Sequence, residues 1–95
     1  MHDYELTVVI SPEIADEALP ASIEKVTGWI TEKGGDIAQV DQWGRRKLAY
    51  AIKHYYEGNY VHARFQFDPE LTAELESSLV MSEEVIRHLL VRVNE

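Results

Sequence analysis

The spacing of apolar residues switches between two periods along this chain, and the order of the switches limits the fold more than any single motif. Tyr4 to Ile10 is β-branched and partly alternating, a strand with Tyr4, Leu6, Val8 and Ile10 towards a core and Glu5, Thr7 and Val9 away from it. Leu19, Ile23, Val26 and Ile30 then recur at helical steps as one apolar stripe, flanked by Trp29. Asp16 is placed as the N-cap, which leaves Pro20 in the first turn, where no intrahelical N–H bond is lost. Gly34 stops the helix. Ile37 and Val40 open a second strand, and Lys47 to Lys53 alternates again, with Leu48, Tyr50 and Ile52 expected to pack under the sheet. Gly44 between them reads as a bulge in one long bent strand.

Tyr55 to Asn59 is expected to make the next turn. Tyr60 to Phe67 returns, with Val61, Ala63, Phe65 and Phe67 inward and Tyr60, His62, Arg64 and Gln66 outward. Asp68-Pro69-Glu70 starts a second helix, whose stripe is Leu71, Leu75 and Leu79. From Ser82 to Leu90 the spacing suits a helix nearly as well as a strand, and the run from His88 to Val93 points to a strand.

That order, β-α-β-β-α-β, is the ferredoxin-like α+β arrangement: a four-stranded antiparallel sheet with two helices on one face. Each helix has one stripe to bury, so the opposite sheet face is left to water or to a partner. The alternation puts Glu5, Thr7, Tyr60, His62 and Arg64 there, with Arg92 as a further candidate. At 95 residues the chain is read as one domain, residues 1–95.

Charge singles out the middle of the chain. The formal net charge is -8, yet residues 42–67 hold five Lys or Arg against one acid, Glu57. Four of the nine basic residues, Arg45, Arg46, Lys47 and Lys53, fall between Trp43 and Lys53. A basic island in an acidic protein is a docking surface for phosphate or an acidic partner, or else a solvated turn.

Chemistry has little to work with. There is no cysteine, which excludes disulfides, thiolate catalysis and cysteine-based zinc sites. The four histidines, at 2, 54, 62 and 88, have no helical zinc spacing. No phosphate-binding glycine loop, nucleophile elbow or Walker lysine is present. The loop Ser11-Pro12-Glu13 is acidic and lacks the arginine that a phosphate cradle after the first strand needs. No catalytic residue, metal ligand, cofactor or small-molecule substrate is expected. No apolar run approaches the ~20 residues of a membrane span, and Met1 to Glu5 is unlike a signal peptide, so a cytoplasmic location without membrane contact is expected. Gly58 to Phe65 echoes the aromatic strand of an RNA-recognition motif, but Phe65 and Phe67 fall on the core side.

Met1-x-x-Tyr4-Glu5, Gly34-Gly35, Trp43-Gly44-Arg45-Arg46-Lys47-Leu48-Ala49-Tyr50-x-Ile52, Gly58-x-Tyr60, Phe67-x-Pro69 and Val85-x-Arg87 follow one another along nearly the whole chain. Together they resemble the bacterial small-subunit ribosomal protein six family, and the Gly-x-Arg-x-Leu-Ala-Tyr block is the most specific part. The resemblance implies the ferredoxin-like sheet, with the ambiguous tail a strand. It also implies a structural, non-catalytic role on the ribosome, bound to the central domain of small-subunit ribosomal RNA as a heterodimer with small-subunit ribosomal protein eighteen. The RNA-binding candidates are then Arg45, Arg46, Lys47, Lys53, Arg64 and Arg92, and the partner-protein candidates Tyr60 and His62. Two positions depart from the family pattern: His2-Asp3, where basic residues are common, and Ala51, where proline is usual. An RNA-binding module outside the ribosome would bind RNA tightly alone. A regulatory ferredoxin-like domain would have a ligand pocket at a homodimer interface.

Overall fold

The computed structural model describes residues 1–93, built as β1 (His2–Ile10), α1 (Leu19–Glu32), β2 (Asp36–Ile52), β3 (Tyr55–Phe67), α2 (Thr72–Met81) and β4 (Val85–Arg92). The strands form one antiparallel sheet in the order β2-β3-β1-β4. β1 and β3 alternate most regularly and occupy the centre. Their register sets Tyr4 opposite Phe65, Leu6 opposite Ala63 and Val8 opposite Val61, three apolar pairs on the core face, with Phe67 opposite His2 and Ile10 opposite Asn59. Against these pack Ile23, Val26 and Ile30 of α1 and Leu75 and Leu79 of α2. Leu6, Phe65, Phe67, Ile30, Leu75 and Leu79 are fully buried, each contributing roughly 1.5–3 kcal/mol relative to exposure. Both stripes thus cover one face, as the spacing predicts.

Three expectations need correction. The helix α1 begins at Leu19, not after Asp16, with Ala18 at its N-cap position and no side-chain cap. A turn closed by Ala18 N–H and Leu19 N–H, both donating to Ala15 C=O, takes up the preceding residues, and Pro20 still falls in the first turn. The turn between β2 and β3 is at Lys53-His54, not Tyr55 to Asn59. Both residues take positive φ, 50° and 71°, as a two-residue hairpin of the twisted type requires. Gly58 is a strand residue whose Cβ would overlap Val9, a close approach rather than a bend. Finally, Leu48, Tyr50 and Ile52 are not core residues: Tyr50 is 64% exposed and the other two half-buried. Of β2, only Ile37 joins the core, and Leu48, Tyr50 and Ile52 lie outside the cluster that the two helices cover.

The bulge at Gly44 is present, with φ 83° and a register shift between Gln42 and Gly44. Asp68 starts the second helical segment by accepting a bond from Glu70 N–H at 2.9 Å, through a short 3-10 turn at Pro69–Leu71. Between α2 and β4, Glu84 ties the sheet to α1. Its carboxylate accepts from Lys25 Nζ at 2.6 Å and from the hydroxyl of buried Ser22, while its C=O accepts from Ser11 N–H at 2.8 Å. Lys25 first, then Ser22, hold the Glu84 carboxyl below its ordinary 4.5, against the opposing pull of burial.

Candidate nucleic-acid and protein interface

Strand parity gives the uncovered face of the sheet three cross-strand rows. Gln39, Arg64, Glu5 and Val91 form one; Asp41, His62, Thr7 and Leu89 the next; Gly44, Tyr60, Val9 and Arg87 the third. Charge and polarity lie towards β2, and apolar surface lies towards β4. Leu89 is 55% and Val91 45% exposed. Near them Thr7, Val9, Tyr60, Arg87 and Leu89 line a shallow depression of about 210 Å³.

Both partner-protein candidates lie on this face. Tyr60 is half-buried between Gly44 and Val9, and His62 is covered by Trp43, whose ring stacks on it at 5.0 Å and 6°. The His62 Nε2 is 3.9 Å from the Glu5 carboxylate. Arg46 approaches Trp43, 5.9 Å from its ring centroid, while its Nε donates to Trp43 C=O at 3.3 Å. Trp43 is therefore held between His62 and Arg46, and this contact fixes the bulged part of β2 onto the sheet.

The six basic candidates do not make one patch. Arg45, Arg46, Lys47 and Lys53 share the β2–β3 hairpin, but alternation splits them: Arg46 pairs with Gly58 on the open-face side, Arg45 and Lys47 with Asn59 and Glu57 on the other. Arg45 is already engaged, donating to Glu57 at 2.9 Å and to Pro12 C=O at 3.0 Å. Arg46, Lys47 and Lys53 are exposed. Arg64 is exposed mid-sheet, opposite Glu5 and Gln39. Arg92 corrects the expectation for its face. It pairs with Tyr4, so it lies on the helix side at the far end of the sheet, 2.8 Å from His2 Nδ1.

Pattern reading does not place Trp43, Tyr50, Arg87, Leu89 or Val91 among the site residues, although Trp43, Tyr50 and Arg87 stand in the motifs quoted above. Tyr50 OH lies 3.4 Å from an Arg87 Nη although β2 and β4 are opposite edges of the sheet, so the hairpin bends over the open face. Val9 and Ile86 are buried outside the main core at this end of the sheet. The available signal was the alternation Arg87, Leu89, Val91. It was obscured because Ile86 and Leu90 are apolar too. Among the described residues, no group of three or more His, Asp or Glu is placed to hold a metal ion, and no helix is long and apolar enough to cross a membrane.

A family model described as Ribosomal protein S6 matches residues 3–92. The small ribosomal subunit protein bS6 of Moorella thermoacetica is 43% identical over 95 residues, covering 100% of this chain and 97% of that protein. The crystal structure of 30S ribosomal protein S6 from Thermotoga maritima matches with a TM-score of 0.91 at 33% identity, over 97% of this chain and 87% of that one. A chain from the complex of the chemotaxis kinase CheA P2 domain with the response regulator CheY, also from Thermotoga maritima, reaches a TM-score of 0.62. Its identity is 13% over 97% of this chain and 98% of that one, a likeness of fold alone. The match in sequence and structure spans all four strands and both helices, and this chain belongs to the ribosomal protein S6 family, structural proteins of the small ribosomal subunit.

Proposed function

We propose that this chain, acting as one unit, binds the central domain of small-subunit ribosomal RNA as a heterodimer with small-subunit ribosomal protein eighteen, in the cytoplasm and without catalysis of its own. One observation carries the reading: a hairpin with four of the nine basic residues bends over a sheet face whose apolar edge, Leu89 and Val91, is uncovered. An apolar, part-aromatic sheet face suits protein, and an exposed basic hairpin suits phosphate. Arg46, Lys47 and Lys53 are the foremost phosphate ligands. Arg45 joins them from its bond with Glu57, and Arg64 and Arg92 are separate candidates elsewhere on the sheet. Tyr60 and His62, with Leu89, take the partner protein.

The net charge of -8 opposes a polyanion, so the chain alone binds RNA weakly and needs its partner. The test is to pass the purified chain, with and without the partner, over central-domain RNA at physiological salt. Retention only of the pair supports the reading. A submicromolar complex of RNA with the chain alone would contradict it and favour a stand-alone RNA-binding module.

A further inference from the structure

A surface helix ordinarily turns its apolar residues inward and shows water a polar side. The helix α2 does this with Leu75 and Leu79, but its next two residues point outward: Val80 is 67% and Met81 83% exposed. Met81 is the ridge between two open depressions. One, about 490 Å³, runs from Lys25 and half-buried Trp29 on α1 to Ser78, Met81 and Glu83. The other, about 360 Å³, lies along Ala73, Glu76, Ser77 and Val80. Single apolar side chains on a surface need no explanation, but Met81 lines both depressions and so links Trp29 in one to Val80 in the other.

Acidic side chains predominate around these residues. Asp68 to Glu84 contains six acidic residues and no Lys or Arg. No basic residue stands in the last turn of either helix, so the negative C-terminal end of α2 has no compensating side chain there. Lys25, the one cation lining the larger groove among the described residues, is turned to Glu84 at 2.6 Å. RNA is repelled by such a surface. A second copy of this chain, docked through the same helix, would set acid against acid.

We infer that the α1–α2 face is a second docking surface, which takes a basic amphipathic segment of a partner protein. Apolar side chains of that segment seat against Trp29 and Met81. Its lysines or arginines meet Glu83, the carbonyl groups that end α2, and Glu76, whose carboxylate already lies 3.2 Å from His88 Nε2. The surface lies across the sheet from Tyr60 and Leu89, so a protein bound there and one bound here do not compete.

The test uses the full chain with Trp43→Phe, which leaves Trp29 as the only tryptophan. The probe is a fluorescein-labelled amphipathic Leu/Lys peptide of about five helical turns, with a Leu/Glu peptide of the same pattern as its control. The Leu/Lys peptide is expected to bind and to shift Trp29 emission, and the Leu/Glu peptide is not. The double variant Val80→Ser/Met81→Ser, which removes the apolar side chains without adding charge, should weaken binding by about tenfold or more, a loss of ~1.4 kcal/mol. The double variant Leu89→Ser/Val91→Ser on the sheet should leave it within about twofold. All four side chains are exposed, so both variants should fold, which the unfolding midpoint checks. Equal binding of the two peptides, no binding of the Leu/Lys peptide, or a weakening confined to the sheet variant would each overturn the assignment.

Discussion

The two ends of β3 live in different environments although they are one strand. From Val61 to Phe67 each alternate side chain is buried against β1 and the helices. From Tyr55 to Glu57 the strand is paired only with β2, and Tyr56 is 75% exposed. The first region is held by apolar burial, which is tolerant of nothing missing. The second is held by backbone pairing, a two-residue turn with positive φ and the Arg45–Glu57 pair. What differs is the layer beneath: where the helices stop, the same alternation no longer means inside and outside. Apolar burial is concentrated in one end of the strand and exposed side chains in the other.

That separation can be broken most forcefully at Phe65. Phe65→Ala should cost about 3–5 kcal/mol through the cavity it leaves, read as a lowered urea midpoint with unchanged slope. At the hairpin the largest effect should be a gain. Lys53→Asn/His54→Gly removes two positive-φ side chains that are not asparagine or glycine, and should stabilise by about 1–2 kcal/mol in the same assay.

Away from β3, Glu84 ties α1 to the sheet ahead of β4. Glu84→Gln should cost about 1 kcal/mol near neutral pH, since the Lys25 side chain is 62% exposed and screened while the Ser22 bond is sheltered. The carboxyl is held low in the folded state, so its contribution is present above the unfolded value of 4.5 and is lost as pH falls below it. The difference between wild type and Glu84→Gln, followed by thermal unfolding, should be constant from neutral pH towards 5.5 and shrink progressively below about 4.5. The smallest change is expected at Tyr50. Tyr50→Ala should fall within about 0.5 kcal/mol of wild type, because the ring is mostly in water and touches Arg87 only through its hydroxyl.

Tyr50 also shows where sequence reading stops. Its alternation with Leu48 and Ile52 is real, but period-two spacing says only that three side chains share a side. Whether a helix lies under that side depends on how far α1 and α2 extend across β2, a tertiary fact. The faces of β1 and β3 were legible because both strands pair on two sides over most of their length. The face of Arg92 was not, because Leu89, Leu90 and Val91 are all apolar and leave the parity of β4 open. The basic island was visible as composition, but not its division: alternation turns Arg45 and Lys47 one way and Arg46 the other. Trp43 beside the bulge gave no hint that it would cover His62, since the bulge shifts the register at that point.

The central claim, that the hairpin meets RNA phosphate while the body of the sheet carries stability, is tested most directly by one salt titration. RNA affinity of the heterodimer is measured against ionic strength for wild type and for Arg45→Ala/Arg46→Ala/Lys47→Ala. The variant should keep an unfolding midpoint close to wild type and show a flatter dependence of log affinity on log salt, by ~0.7–0.9 for each phosphate it no longer neutralises. An unchanged slope with heterodimer formation impaired would contradict the claim and move these three residues from the RNA to the protein interface.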